Sequence, residues 1–136
     1  MNDHSLIQVA KNAMQSAYAP YSGYKVGAAL LCEDGRIFMG CNVENASFSL
    51  TACAERTALF KAVSEGCRRF KAIAVVGGKD GCCDDYAFPC GACRQALAEF
   101  CDEDFRVILA ADDGRVRLTT LGELLPGSFR LTQDKE

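Results

Sequence analysis

Histidine is almost missing from this chain: a single one, His4, stands near the N-terminus of 136 residues. The common nitrogen ligand is therefore scarce, and any metal centre must be built from sulfur or carboxylate. His4 itself reads as a solvated bystander. A basic excess is missing too. Lys and Arg number 15 against 18 Asp and Glu, a formal net charge of −3. Polynucleotides reward clustered positive charge, so no nucleic-acid partner is expected. The densest basic group, Arg68, Arg69 and Lys71, reads as the solvated end of a helix. No apolar run is long enough to cross a bilayer, and none at the N-terminus marks a signal peptide. There is no linker, internal repeat or low-complexity tract, so one domain over 1–136 is expected.

Cysteine is abundant instead. There are nine, at 32, 41, 53, 67, 82, 83, 90, 93 and 101. The odd number means disulfides cannot use them all, and so many thiols fit a reducing cytoplasm.

Leu6, Ile7, Ala10, Ala13, Met14 and Ala17 recur at helical spacing over 5–17, with Pro20 as the stop. Val26–Cys32 and Arg36–Cys41 flank Glu33-Asp34-Gly35, the pattern of a hairpin. Thr51 is placed to cap a helix from Ala52 to Glu65, with Gly66 just past its end. Ala72–Val76 reads as a buried strand, followed by a Gly/Asp-rich loop from Gly77 to about Ala87. Gly77-Gly78-Lys79 lacks phosphate-loop spacing and reads as a turn. A helix from Pro89/Cys90 to Phe100, strands at Arg106–Ala111 and Arg115–Leu118, and a short helix at Thr120–Leu125 complete the order. The tail from Thr132 to Glu136 is polar and expected to be loose. The alternation predicts an α/β fold, a mixed β-sheet layered with α-helices.

The informative residues are Cys53-Ala54-Glu55 and Pro89-Cys90-Gly91-Ala92-Cys93. Three thiolates fill three positions of a tetrahedral zinc site and leave the fourth for water, as in catalytic zinc. Glu55, beside a ligand without being one, suits a general acid/base. Both cysteine segments fall at expected helix starts, where unpaired N–H groups favour the thiolate. Cys53 and Glu55 are two apart and share no face in mid-helix, so they converge only if the metal lies beyond the helix end. Three thiolates on Zn²⁺ leave a net negative charge, and a cation at the sulfurs would restore Lewis acidity. Arg56 is favoured over Arg94 for that task.

Two other readings use the same residues. A structural zinc knuckle, forming an interaction module, would need a fourth ligand such as Cys82 or Cys83, whose neighbours Asp84 and Asp85 suggest an exposed loop. A dithiol oxidoreductase would use Cys90 and Cys93 and leave Cys53 and Glu55 unexplained.

The chain resembles the small homotetrameric cytidine deaminases of nucleoside salvage. Four segments carry the likeness: Tyr18-Ala19-Pro20-Tyr21-Ser22 with Val26-Gly27-Ala28-Ala29-Leu30; Gly40-Cys41-Asn42-Val43-Glu44-Asn45-Ala46-Ser47; Cys53-Ala54-Glu55-Arg56-Thr57-Ala58; and Pro89-Cys90-Gly91-Ala92-Cys93-Arg94-Gln95. The resemblance implies one Zn²⁺ per chain on Cys53, Cys90 and Cys93, with Glu55 moving protons. It implies that Asn42 and Glu44 hold the ribose hydroxyls. Tyr24 stands where the family usually stacks a phenylalanine on the base. The Ala54 N–H is placed for the base carbonyl. Phe129, after Leu124-Leu125-Pro126, matches an aromatic lent to a neighbour's site, with core packing as the plainer reading. The implied reaction is deamination of cytidine and 2′-deoxycytidine, with a different base or a nucleoside antibiotic as the nearest rival. The chain departs from the family at Phe48-Ser49, where Tyr-Gly is common, and at Ala52, where asparagine is frequent.

Overall fold

The computed structural model describes residues 1–131, so the expectation for 132–136 lies outside the described residues. The elements run α1 (Asp3–Met14), β1 (Tyr24–Cys32), β2 (Ile37–Cys41), α2 (Ala54–Ser64), β3 (Phe70–Lys79), α3 (Gly91–Ala98), β4 (Arg106–Ala110), β5 (Val116–Thr120) and α4 (Leu121–Leu124). A 3-10 turn at Phe48–Leu50 precedes α2. The five strands form one mixed sheet in the order β2-β1-β3-β4-β5. Among the strands of the described residues only β3 and β4 pair in parallel, and α3 lies in the connection between them. A parallel pair needs such a crossover because a tight turn cannot reverse the chain twice.

The central strands are apolar at successive positions because helices cover both faces. Ala28 and Leu30 of β1, Ile73 and Val75 of β3, and Val107 and Leu109 of β4 meet α2, α3 and α4 on one face. Ala29, Ala72, Ala74, Val76, Ile108 and Ala110 point the other way, towards Leu6, Ile7, Ala10 and Met14 of α1. The small residues lie on the face with a single helix, which can then approach closely. Close approach also governs the other face. A Cβ on Gly40 of β2 would lie 2.3 Å from the Ala54 carbonyl oxygen and 2.5 Å from the Ala58 nitrogen. Glycine at position 40 therefore lets α2 rest on the β2 backbone, which fixes where α2 begins.

Several boundaries differ from expectation. Helix α1 stops at Met14 because Ser16 and Ala17 turn back onto Ala13 and Met14, and the Tyr18 N–H then bonds the Asn42 carbonyl. The N-cap position of α2 is Cys53, not Thr51, whose hydroxyl accepts from the Asn45 N–H instead. Its C-terminal stop is as read, with Gly66 at φ +96°. Strand β3 extends through Gly77-Gly78-Lys79, and the turn follows at Asp80-Gly81. Cys83 is fully buried and not in an exposed loop; its thiol lies 3.7 Å from Met14 Sδ. Among the described residues, no helix is long and apolar enough to cross a membrane.

Candidate active site

Two helix starts converge at one end of the sheet. Cys53 is the N-cap of α2 and Cys90 the N-cap of α3. Both have extended backbones, and neither side chain caps its own helix. The first-turn N–H groups of each helix, left without intrahelical partners, direct positive charge towards the thiols. Cys53 Sγ lies 3.6 Å from Cys90 Sγ, and Cys90 Sγ donates to Cys93 Sγ at 3.4 Å. All three sulfurs sit within 4.8 Å of one another. That is a compact, all-sulfur donor set with no fourth protein ligand among the described residues, as a zinc site with an open position requires. Cys82, considered as a closing ligand, is exposed, and neither it nor Cys83 belongs to the cluster.

Arg56 stands in the first turn of α2, and its Nη2 donates to Cys53 Sγ at 3.4 Å. Hydrogen bonding from the Cys93 thiol and then from Arg56 outweighs burial and pulls the Cys53 thiol down to about 5. Arg94, the other candidate, is occupied elsewhere. Its Nε donates to the Pro89 carbonyl and its Nη1 to the Leu124 carbonyl, each at 2.7 Å. It braces the loop before α3 against the C-terminal segment.

Glu55 is 4% exposed, the one buried carboxylate among the described residues. Burial pushes its carboxyl up to about 7; the Cys53 charge adds to this, while its own backbone N–H and Arg56 oppose it. The i, i+2 difficulty disappears because Cys53, as N-cap, lies outside the helical turn. Cys53 and Glu55 thus reach one cavity of about 300 Å³, which Ala54 and Cys90 also line. This volume is at the lower end for small-molecule sites.

Asn42 and Glu44 also line that cavity. Val43 between them bridges to Tyr18 on one side and to Ala52 on the other. An extended segment sends alternate side chains to one face, so positions 42 and 44 point together. Glu44 Oε1 accepts from the Tyr21 N–H at 2.9 Å and the Ser22 N–H at 3.1 Å, and Oε2 accepts from the Ser22 hydroxyl. These bonds, the hydroxyl first, hold the carboxyl below its ordinary range. Asn42 Oδ1 accepts from the Val26 N–H at 2.9 Å, and its Nδ2 donates to the Tyr24 carbonyl at 2.8 Å. The amide keeps one further N–H and one further lone pair.

Tyr24 lines the cavity. Phe129 does not; it is 68% exposed, and its carbonyl accepts from Gln95 Nε2 at 2.9 Å. The sequence reading passed over Ser22, Tyr86 and Phe88, which complete the wall. The two aromatics flank Ala87 directly before Pro89, a period-two signal at the end of what read as a Gly/Asp-rich loop. A larger depression of about 1090 Å³ lies elsewhere, lined by Arg68, Lys71, Glu99 and Asp102 among others. It holds none of the sulfurs or carboxylates above and mixes charges of both signs, so its size alone gives it no chemistry.

The sequence profile of the cytidine and deoxycytidylate deaminase zinc-binding region matches residues 1–109. A cytidine deaminase of Sporosarcina psychrophila is 53% identical over 95% of this chain and 92% of its own length. The 1.6 Å crystal structure of cytidine deaminase from Burkholderia pseudomallei superimposes with a TM-score of 0.88, at 52% identity over 95% of this chain and 100% of that one. A blasticidin-S deaminase of Bacillus cereus matches at 30% identity over 91% of this chain and 89% of its own length.

Proposed function

We propose, for a chain that belongs to the cytidine and deoxycytidylate deaminase family and is a zinc-dependent hydrolase, that it deaminates cytidine and 2′-deoxycytidine to uridine and 2′-deoxyuridine, releasing ammonia. One observation carries the reading: of three sulfurs within 4.8 Å of one another, those of Cys53 and Cys90 share with the buried Glu55 a cavity whose wall includes Asn42 and Glu44.

Cys53, Cys90 and Cys93 would hold the zinc, which when bound would supply Lewis acidity that brings water within reach of deprotonation near neutral pH; attack falls on C4 of the ring. Glu55 takes the proton of that water and delivers it to N3, which makes C4 electrophilic. It then takes the proton of the new C4 hydroxyl and passes it to the amine, so that the C4–N bond breaks, the C4 carbonyl forms and ammonia leaves. One carboxyl serves as base and acid because burial sets its proton affinity near neutrality. Arg56 draws charge from the sulfurs and so limits how far they quench the metal. Asn42 and Glu44 fix the ribose hydroxyls through the lone pairs and N–H that their internal bonds leave over. Glu44 is held in place by Tyr21 and Ser22, so little orientation is lost on binding. The ring of Tyr24 packs on the base, and the Ala54 N–H at the start of α2 receives the base carbonyl.

The whole chain is read as one catalytic unit, acting in pyrimidine nucleoside salvage in the cytoplasm. The assembly is read as a homotetramer in which Phe129 enters a neighbour's site. Its exposed ring, away from its own cavity, supports that reading.

The experiment is ammonia release from a panel: cytidine, deoxycytidine, cytosine, cytidine monophosphate, adenosine and blasticidin S. Turnover highest on the two cytosine nucleosides is the expected result. Preference for blasticidin S would move the chain towards its antibiotic-deaminating relative. Stoichiometric zinc with no ammonia from any compound would leave a zinc-stabilised interaction module.

A further inference from the structure

A second cluster of sulfur lies well away from the cavity. Cys32 ends β1, and Cys67 follows Gly66 just after α2. Their sulfurs and a carboxylate oxygen of Asp34 lie within 4.8 Å of one another. Both cysteines are buried, yet Cys67 retains 5% exposure, enough for a very small reagent. The 11 residues of α2 separate this cluster from Cys53, a rise of about 16 Å. Nothing in the deamination chemistry uses it.

Arg36 decides what the cluster can do. Its Nη2 donates to Cys67 Sγ at 2.6 Å, while its Nε donates to Asp34 Oδ2 at 3.0 Å. The guanidinium stands where a metal ion would need to sit and already neutralises the carboxylate, which argues against a cation site. A guanidinium that donates to a sulfur instead steadies the negative charge that the sulfur develops as it reacts, and the same sulfur lies 3.9 Å from Asp34 Oδ2. Cys32 differs from Cys67: burial, then its hydrogen bond with Cys67, pushes its thiol up to about 12. One sulfur thus faces a fixed positive charge, and its neighbour keeps its proton. That is the division of labour between an attacking and a resolving cysteine.

We propose that Cys32 and Cys67 are an oxidisable pair that closes to a disulfide on exposure to a small peroxide. The Cys67 sulfur attacks one oxygen of hydrogen peroxide; the O–O bond breaks, giving a sulfenic acid on Cys67 and a hydroxide that leaves as water once protonated. The Cys32 sulfur then attacks Cys67 Sγ and gives up its proton; the S–O bond breaks and a second water leaves. The two thiols lose two electrons and two protons, and the peroxide becomes two waters. An S–S bond of about 2.05 Å requires the sulfurs to close from their present separation. Cys32 sits where the β1–β3 register shifts, and Cys67 lies in the connection between α2 and β3. The link ties the far end of α2 to the β1–β2 hairpin and leaves the metal-binding end untouched.

The test uses the zinc-loaded protein, brief treatment with hydrogen peroxide, quenching with an alkylating reagent and peptide mass spectrometry. A Cys32–Cys67 peptide pair two mass units lighter than the dithiol, reversed by dithiothreitol, is expected to form ahead of any other cysteine pair. Arg36→Met is expected to slow its formation several-fold. Cys32→Ala, which leaves no resolving thiol, is expected to hold Cys67 as a sulfenic acid that dimedone captures. Wild-type Cys67 recovered as free thiol after treatment would overturn the proposal, as would an unchanged rate in Arg36→Met. So would a second zinc per chain that shields Cys32 and Cys67 from alkylation, because the cluster would then be a metal site.

Discussion

Glu55 holds a carboxyl where carboxyls seldom sit, at the first turn of a helix with 4% of its surface exposed. A buried acid without a task would be a pure cost to folding. Its burial keeps its proton exchangeable near neutral pH, as a group that must first take and then give a proton requires. Glu55→Gln keeps the shape and removes the exchange. Turnover is expected to fall by about 10²–10⁴-fold or more, since both proton transfers use this group, while zinc content stays at the wild-type level. Steady-state ammonia release and zinc analysis on the same preparation check this, and near-normal kcat would sink the mechanism. At this scale Glu55 and the cysteines were legible because their spacing is chemical. Asn42 was only half legible. Its amide bonds reach Val26 and Tyr24, 16 and 18 residues away, so its bracing of β1 leaves no local trace. Ser22 was missed for the same reason: its hydroxyl finds Glu44 only after folding.

Helix ends are the weak point of any pattern reading, because the periodicity fixes a middle and not a terminus. Thr51 looked like the cap of α2, and two residues of error changed the meaning of Cys53 from a first-turn residue to an N-cap. As N-cap it leaves the helical face, and the geometry that had looked difficult becomes simple. The prediction at this scale concerns both helix starts. Cys53→Ala, Cys90→Ala and Cys93→Ala are each expected to lower zinc from about one per chain to a small fraction after gel filtration, because two thiolates hold the ion poorly. Full retention in any one would remove that residue from the ligand set. The contact between β2 and α2 gives a second prediction. Gly40→Ala puts a methyl group 2.3 Å from the Ala54 carbonyl oxygen, so α2 must move at the turn that carries Cys53. A stability loss of about 1–3 kcal/mol is expected in urea unfolding, as for overpacked cores. Zinc is expected to exchange faster. Unchanged stability together with unchanged exchange would show that α2 is not fixed by that contact.

The whole molecule spends its strongest apolar material on a sheet covered on both sides, and the alternating pattern announced that layered arrangement correctly. What the pattern could not announce is the surface. Phe48 is 79% exposed, and Leu50, Phe60, Leu118, Phe129 and Leu131 are exposed as well. Scattered apolar residues are ordinary on a monomer, but so many large ones on one small chain suit further association. A cavity of about 300 Å³ on a single subunit also gains from a ring supplied by a neighbour, which would exclude water around the base. The active species is therefore expected to sediment at about four times the 14.7 kDa chain. Phe129→Ala is expected to raise KM while zinc content and kcat change little, since the ring is proposed to meet substrate and not the metal. Complementation separates a shared site from a self-contained one. Phe129→Ala subunits mixed with Glu55→Gln subunits bring an intact glutamate from one and an intact ring from the other. After subunit exchange verified by mass-labelled chains, some sites in the mixture hold both, and activity at low substrate is expected to exceed the sum of the two parents. No gain after complete exchange, or a fully active monomer, would place each site within one chain and return Phe129 to the surface.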